Sequence, residues 1–158
     1  MSPIVRRGFY RRQLPHLQRD YRILLRFVLR EDGSCRNGPS YWTAACLVTT
    51  LPFSLYVSVV MPDHVHMIFT PLVDLEVREI CSSARIMNAI KGASSHPINA
   101  TRGRIGPVWQ AESFHHVLRS SESLDAKVAY ILTNPVRRGL ANRWQEYPWL
   151  WQRAERGP

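Results

Sequence analysis

The sequence predicts an α+β fold in which helices pack on one antiparallel sheet, and three observations support it. Apolar and polar residues alternate over 21–29 and side chains alternate again over 64–69, while 55–61 is rich in β-branched and aromatic residues, and these patterns are typical of strands. Apolar residues at helical spacing follow over 75–93 and again over 122–134. Segments rich in Gly and Pro separate these stretches. The resulting order β, α, β-hairpin, α, β, α is that of a ferredoxin-like domain.

Local signals place the predicted elements in order along the chain. A Pro-Asp turn at 62–63 makes the middle strands a hairpin, and Pro52 ends the helix before it. Pro135 disfavours helical geometry in the residue before it, so the last helix should end near Asn134. The predicted elements are a strand over 21–29, a helix over 41–50, a hairpin over 55–69, a helix over 75–93 that ends near Lys91-Gly92, a flexible connection over 94–106, a strand over 113–119, a helix capped by Ser120-Ser121, and an aromatic segment over 144–151 that packs across the domain.

The composition indicates a basic globular protein with a nucleic-acid partner. The 158 residues are 45% hydrophobic, and this length suits a single core. Lys and Arg number 21 against 12 Asp and Glu, which gives a formal net charge of +9. Most of the excess is arginine, whose planar guanidinium suits phosphate. Charge alone leaves DNA, RNA and an acidic protein surface open as partners.

Cysteine usage and hydropathy favour the cytoplasm. Cys35, Cys46 and Cys81 are odd in number and widely spaced, with no C-x-x-C pair, so we expect reduced thiols. No run of about 18 or more apolar residues occurs, and no long apolar segment follows the basic N-terminus. We therefore expect a protein that is neither secreted nor membrane-spanning.

The first twenty residues are expected to form a basic arm ahead of one domain over 21–151, with a short tail over 152–158. An arm with aromatic residues among its arginines can grip phosphates and stack on unpaired bases. A solvated terminus without a function is the other interpretation. The candidate DNA-binding residues of the arm are Arg6, Arg7, Arg11 and Arg12.

Two histidines one residue apart in the hairpin form half of a candidate metal site. Side chains alternate between the faces of a strand, so His64 and His66 share one face and Val65 and Met67 the other. Two adjacent imidazoles are close enough to share a divalent ion. Because short motifs often occur by chance, a pair of strand histidines without a function remains open. The pair needs a partner elsewhere in the chain.

The last helix carries that partner. On a helical wheel Tyr130 lies about 200° from Val128, and therefore away from the apolar stripe. Tyr130 and Asn134 stand at i and i+4, so a phenol and an amide share one helical face. If this face covers His64 and His66, the result is a metal site with a phenol beside it. A tyrosine on a solvent-facing side of the helix is the alternative.

Such a set of groups suits phosphodiester cleavage. A phenolate is a competent nucleophile, but its reference pKa is about 10, so a nearby cation and a lysine would help to ionise it. A divalent ion with open positions can polarise a phosphodiester and orient it for in-line attack. A phosphotyrosine bond then preserves the energy of the phosphodiester for rejoining to another strand.

The order of these motifs resembles that of the REP-associated tyrosine transposases of bacteria, which are single-tyrosine HUH transposases. The resemblance covers about residues 6–151, and the ordered combination is far more specific than any one motif. The segments that carry it are 11–16, 59–66, 107–110, 112–114, 130–136 and 139–140.

The resemblance implies a ferredoxin-like (RRM-like) HUH transposase domain. It implies cleavage and transfer of single-stranded DNA at hairpins of repetitive extragenic palindromes, with Mg²⁺ or Mn²⁺ as cofactor. Tyr130 would be the nucleophile, and His64, His66 and Asn134 would be metal ligands. The protein would be a cytoplasmic, nucleoid-associated monomer or homodimer. Further basic residues expected to contact DNA are Lys91, Arg102, Arg104, Arg119 and Lys127.

Two departures from the family pattern keep alternatives open. Asp63 stands where the family usually has Asn, and His115 stands where it usually has an acidic residue. One alternative is a domesticated relative that binds hairpin DNA without cleaving it. An RNA-binding module of the same fold would present aromatic residues on its central strands. A hydrolase that acts through metal-activated water would not need Tyr130.

Overall fold

The structure is a computed structural model that describes residues 22–29, 52–119 and 123–153. The expected helix over 41–50 lies outside the described residues. So do several individual residues named above, namely Arg6, Arg7, Arg11, Arg12, Cys35, Cys46, Ser120 and Ser121.

The described residues form two helices, seven strands and one short 3₁₀ helix. No described helix is long and apolar enough to cross a membrane. The elements are β1 (Arg22–Leu29), β2 (Phe53–Val60), β3 (His64–Pro71), β4 (Val73–Asp74), β5 (Glu79–Ile80), α1 (Ser83–Arg102), β6 (Trp109–Leu118), α2 (Leu124–Arg137), the 3₁₀ helix (Trp144–Glu146) and β7 (Leu150–Gln152).

Five strands form one antiparallel sheet in the order β6-β1-β3-β2-β7. Strand β1, the β2–β3 hairpin and β6 lie next to one another as a ferredoxin-like domain requires. The α+β fold class is therefore confirmed. Strand β7 was not predicted, and it extends the sheet beyond β2.

The alternation of β3 divides the core between the two faces of the sheet. Val65, Met67 and Phe69 pack with Ile86 and Ile90 of α1, so we call this side the α1 face. Their neighbours in the strand point the other way. Ile68 on that opposite side packs with Ile131 and Leu132 of α2, and we call it the α2 face.

A β-bulge in β2 adapts its residues to the two faces. Leu55 pairs with Phe69 and Val57 pairs with Ile68, so Tyr56 is the extra residue. Leu55 packs against the α1 core and Val57 lies in the α2 core. Because of the bulge, Leu55 and Val57 lie on the same faces of the sheet as their partners in β3.

Helix α1 begins later than predicted, and the expectation of a helix from Leu75 is wrong. Residues 73–80 form the β4–β5 hairpin instead, where the Asp74 carboxylate accepts hydrogen bonds from the Glu76 amide and from Arg85. The helix starts after Ser82, whose hydroxyl accepts from the Arg85 amide as an N-cap.

Helix α1 also continues through Gly92 and Pro97 to Arg102, so the expected flexible connection from Ser94 is wrong. Proline removes one helical hydrogen bond. Buried Ile98 beyond the proline offsets this cost by packing in the α1 core. The cap is Gly103, which has φ 59° and donates to the Ala100 and Asn99 carbonyls.

Helix α2 likewise passes the proline that was expected to end it. Its N-cap is Ser123, whose hydroxyl accepts from the Ala126 amide, so the expected cap at Ser120-Ser121 is wrong. The helix runs to Arg137 through Pro135. The Pro135 side chain is buried beside Ile131 and Leu132 on the core side of the helix. This burial keeps the last turn in place, although the local rule predicts a stop after Asn134.

The aromatic segment packs on the α2 face as expected. Tyr147 is buried, and its hydroxyl donates to the Val60 carbonyl across 2.7 Å. The Val60 amide in turn donates to the Trp149 carbonyl at 2.9 Å. Strand β7 ends at Gln152, the first residue of the predicted tail.

Replacing Tyr147 with phenylalanine should lower the free energy of unfolding by about 1–2 kcal/mol, because the buried Val60 carbonyl loses its hydroxyl partner. Urea unfolding followed by circular dichroism measures this loss. The control is Tyr130→Phe, since that side chain is exposed and should change stability by less than about 0.5 kcal/mol. Equal stability of the two variants would contradict the role of Tyr147.

Candidate functional site

The two histidines of β3 lie together on the α2 face. Strand alternation places them on the side of Ile68, and their ring centroids are 4.8 Å apart with the rings perpendicular. The pair is almost fully enclosed, with His64 4% and His66 9% exposed. The predicted pairing of the imidazoles on one face is present in the structure.

Helix α2 brings Tyr130 over this pair. Its ring centroid lies 6.3 Å from that of His66, with the planes at 84°. Unlike the histidines, Tyr130 is 46% exposed, so its ring borders the site and also reaches solvent. The helical face expected from spacing therefore does cover the histidine side of the sheet.

Asp63 holds the first histidine in one orientation. His64 Nδ1 donates to Asp63 Oδ1 at 2.6 Å, which leaves Nε2 of the same ring available for another partner. Burial alone would raise the pKa of Asp63, but the hydrogen bond from His64 and the charges nearby lower it. Arg138 lies 3.9 Å from the other carboxylate oxygen. A charged carboxylate thus supports the ligand orientation of His64.

Asn134 lies between two contacts that tie α2 to β3 and its turn. Tyr130, one turn earlier, faces His66, and Arg138, one turn later, reaches Asp63 beside His64. Residues four apart share a helical face, so Asn134 belongs to the same face of α2 as these two contacts. Its side chain is buried and its Nδ2 atom has no hydrogen-bond partner.

The unpaired Asn134 amide is compatible with the predicted role as a metal ligand. Buried amides are normally hydrogen-bonded, and a half-turn about χ2 exchanges the nitrogen for the oxygen, which a cation would satisfy. Within the described residues no group of three His, Cys, Asp or Glu side chains could hold a metal. The nitrogen and amide-oxygen donors of His64, His66 and Asn134 are of a type that suits a divalent ion, and their role as metal ligands stays a prediction.

Burial keeps both imidazoles neutral. It is the main cause that lowers the pKa of His64, while Asp63 opposes the shift. For His66, burial followed by the charges of His64 and Arg26 lowers the pKa to about 4. Neutral imidazole is the form that binds a metal ion, so both rings are ready at neutral pH without losing a proton.

Three arginines surround the site, and sequence reasoning did not select them. Arg26 pairs with His66 across the β1–β3 ladder and is exposed. The Arg137 guanidinium lies 5.2 Å from the Tyr130 ring centroid, and Arg138 borders Asp63. In the sequence, Arg137 and Arg138 follow Tyr130 by seven and eight residues, and Arg26 alternates with apolar residues along β1. These spacings could have identified the three arginines.

The basic residues selected from the sequence are spread more widely. Lys91 donates to the Gln110 and Ala111 carbonyls at 2.8 and 3.3 Å, and α1 lies on the opposite face from the histidines. Arg102 and Arg104 lie at the end of the same helix. Lys127 is on α2 with Tyr130, and exposed Arg119 follows β6. Their contacts with DNA stay a prediction.

The unusual His115 lies away from the candidate metal site. It pairs with Leu25, which pairs with Met67 of the α1 face. Burial and the charge of Lys91 lower the pKa of His115. The next residue, His116, points to the α2 face. His115 therefore does not share a face with His64 and His66.

Comparison with solved structures agrees with this architecture. The structure of a REP-associated tyrosine transposase bound to a REP hairpin aligns with 95% of this chain and 82% of its own length, with a TM-score of 0.66 and 22% identity. This chain has the fold of that transposase. The resemblance indicated by the motifs is thus confirmed at the level of the fold.

A second structure, of a candidate transposase from Deinococcus radiodurans R1, aligns with 79% of this chain and with 97% of its own length. Its TM-score is 0.46 and its identity 15%. No protein-family model and no curated protein matches the chain.

The buried state of His66 predicts a pH dependence of stability in metal-free buffer. Its pKa is about 4 in the folded chain, against 6.5 for an ordinary histidine. The unfolded chain therefore binds the extra proton between these values, and the folded state loses stability as the pH falls from about 6.5 to about 4. The expected loss is on the order of 3 kcal/mol.

Urea unfolding over this pH range measures the dependence. His66→Gln should reduce the slope, while His96→Gln, on the exposed side of α1, should keep it. A wild-type slope that His66→Gln leaves unchanged would show that another group is responsible.

Proposed function

We propose that this protein cleaves single-stranded DNA at REP-like hairpins and transfers the strand through a phosphotyrosine at Tyr130. The observation that carries the proposal is the tyrosine ring 6.3 Å from His66, at the exposed edge of an otherwise buried donor set. A tyrosine with only a packing role belongs in the apolar stripe with Ile131 and Leu132. The REP hairpin bound to the structural relative supports the choice of substrate.

The tyrosine is the group that makes and breaks bonds. Its hydroxyl gives up a proton to solvent, and the oxygen attacks phosphorus while the bond to the leaving deoxyribose oxygen breaks. The leaving oxygen takes up a proton, which gives a free hydroxyl end and a phosphotyrosine. Attack by the hydroxyl of another strand reverses these events and joins that strand, so no external energy source is needed.

The other residues bind and orient. His64, His66 and Asn134 would hold a Mg²⁺ or Mn²⁺ ion, which supplies charge that polarises the phosphodiester. Asp63 holds the His64 ring so that Nε2 stays directed into the site. Arg137, beside the Tyr130 ring, supplies positive charge next to the attacking oxygen. The formal net charge of +9 favours a polyanionic substrate in general.

A covalent adduct tests the reaction most simply. Wild type and Tyr130→Phe are incubated with Mn²⁺ and labelled hairpin oligonucleotides taken from palindromes that flank the gene, then run on denaturing gels. We expect a protein–DNA band for wild type that EDTA and Tyr130→Phe both abolish. Leu75→Ala, on an exposed turn away from the site, is the matched control and should keep the band.

The other outcomes of this experiment separate the alternatives. Binding without any adduct would contradict the proposal and favour a domesticated hairpin-binding protein. Cleavage that survives in Tyr130→Phe would also contradict it, since metal-activated water would then be the nucleophile.

The role of Asp63 predicts a graded loss of metal affinity. Asp63→Ala removes the acceptor for His64 Nδ1, so Mn²⁺ should bind about 10-fold or more weakly. Asp63→Asn keeps an acceptor oxygen and should lose less. Isothermal titration calorimetry with Mn²⁺ measures both variants, and equal affinities for Asp63→Ala and wild type would contradict the orientation argument.

A further inference from the structure

A row of side chains leads across the sheet from the histidines to an exposed aromatic ring. His66 pairs with Arg26 of β1, and Arg26 pairs with Phe114 of β6. Residues directly opposite in a ladder share a face, so all three belong to the α2 face. Phe114 is 58% exposed and Arg26 is also exposed. This row is an exposed part of the α2 face that adjoins the buried histidines.

The position of α2 explains why the row stays open. The helix packs over β2 and β3, where Val57, Val59 and Ile68 belong to the α2 core, and β6 reaches that core only at its last residue, Leu118. Strands β1 and β6 continue the sheet beyond it, and Phe114 lies on the edge strand. Neighbouring strands are about 4.8 Å apart, so Phe114 lies about 10 Å from His66. That is within reach of a nucleotide next to one bound at the histidines.

The chemistry of the row matches single-stranded DNA. A planar ring open to solvent offers a stacking surface for an unpaired base, and such stacking contributes about 1–3 kcal/mol per base. Arg26, between the ring and the histidines, provides a cation for the intervening phosphate. Other exposed apolar residues, such as Leu75 at 86% and Ile105 at 95%, are aliphatic and have no such neighbours in the described sheet.

We propose that Phe114 stacks on an unpaired base beside the scissile phosphate and that Arg26 binds the phosphate between them. The inference rests on the proposed function, because it takes the His64–His66–Tyr130 site as the point of cleavage. It adds a binding subsite that holds the single strand in register with Tyr130. Because every base has a flat face, the subsite tolerates different bases.

Binding experiments in a Tyr130→Phe background test the subsite without cleavage. The probes are a fluorescein-labelled oligothymidine of about 15 nucleotides and an abasic strand of equal length, both at low salt. Phe114→Ala should weaken oligothymidine binding by about 5- to 100-fold and leave abasic binding within about twofold. Arg26→Gln should weaken both probes, and Leu75→Ala should weaken neither.

Two further variants separate stacking from packing. Phe114→Trp should keep oligothymidine affinity because it keeps an aromatic face. Phe114→Leu should lose it although it fills similar space. Circular dichroism melting curves identify any variant that fails to fold.

Specific results would overturn the subsite. They are unchanged oligothymidine affinity in Phe114→Ala, an equal loss on the abasic strand, full affinity in Phe114→Leu, or no oligothymidine binding by the parent protein. The covalent adduct of wild type is scored separately. An adduct together with unchanged Phe114→Ala binding overturns the subsite alone, whereas base-dependent binding without an adduct overturns the cleavage proposal alone.

Discussion

The alternation of side chains along β3 is the constraint on which the rest of the structure depends. Every residue of this strand is buried, so neither face is free to turn to solvent. One face must supply Val65, Met67 and Phe69 to the α1 core, and the other then carries His64, His66 and Ile68. A shift of one residue in register would put two imidazoles into an apolar core. The same alternation that folds the sheet therefore fixes the histidines under α2.

Burial of polar groups in this region lowers stability unless they have partners. His64, His66 and Asn134 are all buried, and the Asn134 amide nitrogen has no hydrogen-bond partner. A protein selected for stability alone would fill these positions with apolar residues. The cost is understandable if the three side chains bind a cation together. Tyr130, which is exposed at the edge of the same region, then gains access to substrate without leaving the helix.

The sequence predicted the features that depend on local periodicity. The hairpin, the shared face of the two histidines and the outward position of Tyr130 on its helix all follow from spacing of two or about 3.6 residues. The predicted C-terminal ends of α1 and α2, which relied on a local Gly or Pro, were wrong. Burial of Ile98 in α1 and of Pro135 in α2 stabilises the helix beyond the predicted end. Contacts between distant segments also had no local signal. Strand order alone pairs Arg26 with both His66 and Phe114, and the placement of α2 alone brings Arg138 to Asp63.

The most direct measurement is a crystal structure of the protein soaked with Mn²⁺, with data collected at an energy where manganese scatters anomalously. The account predicts one strong anomalous peak bound by Nε2 of His64, the ring of His66 and the oxygen of Asn134, with the Tyr130 hydroxyl at its edge. A peak elsewhere, or none at the histidines with both rings hydrogen-bonded to other groups, would contradict a metal-assisted site built by β3 and α2.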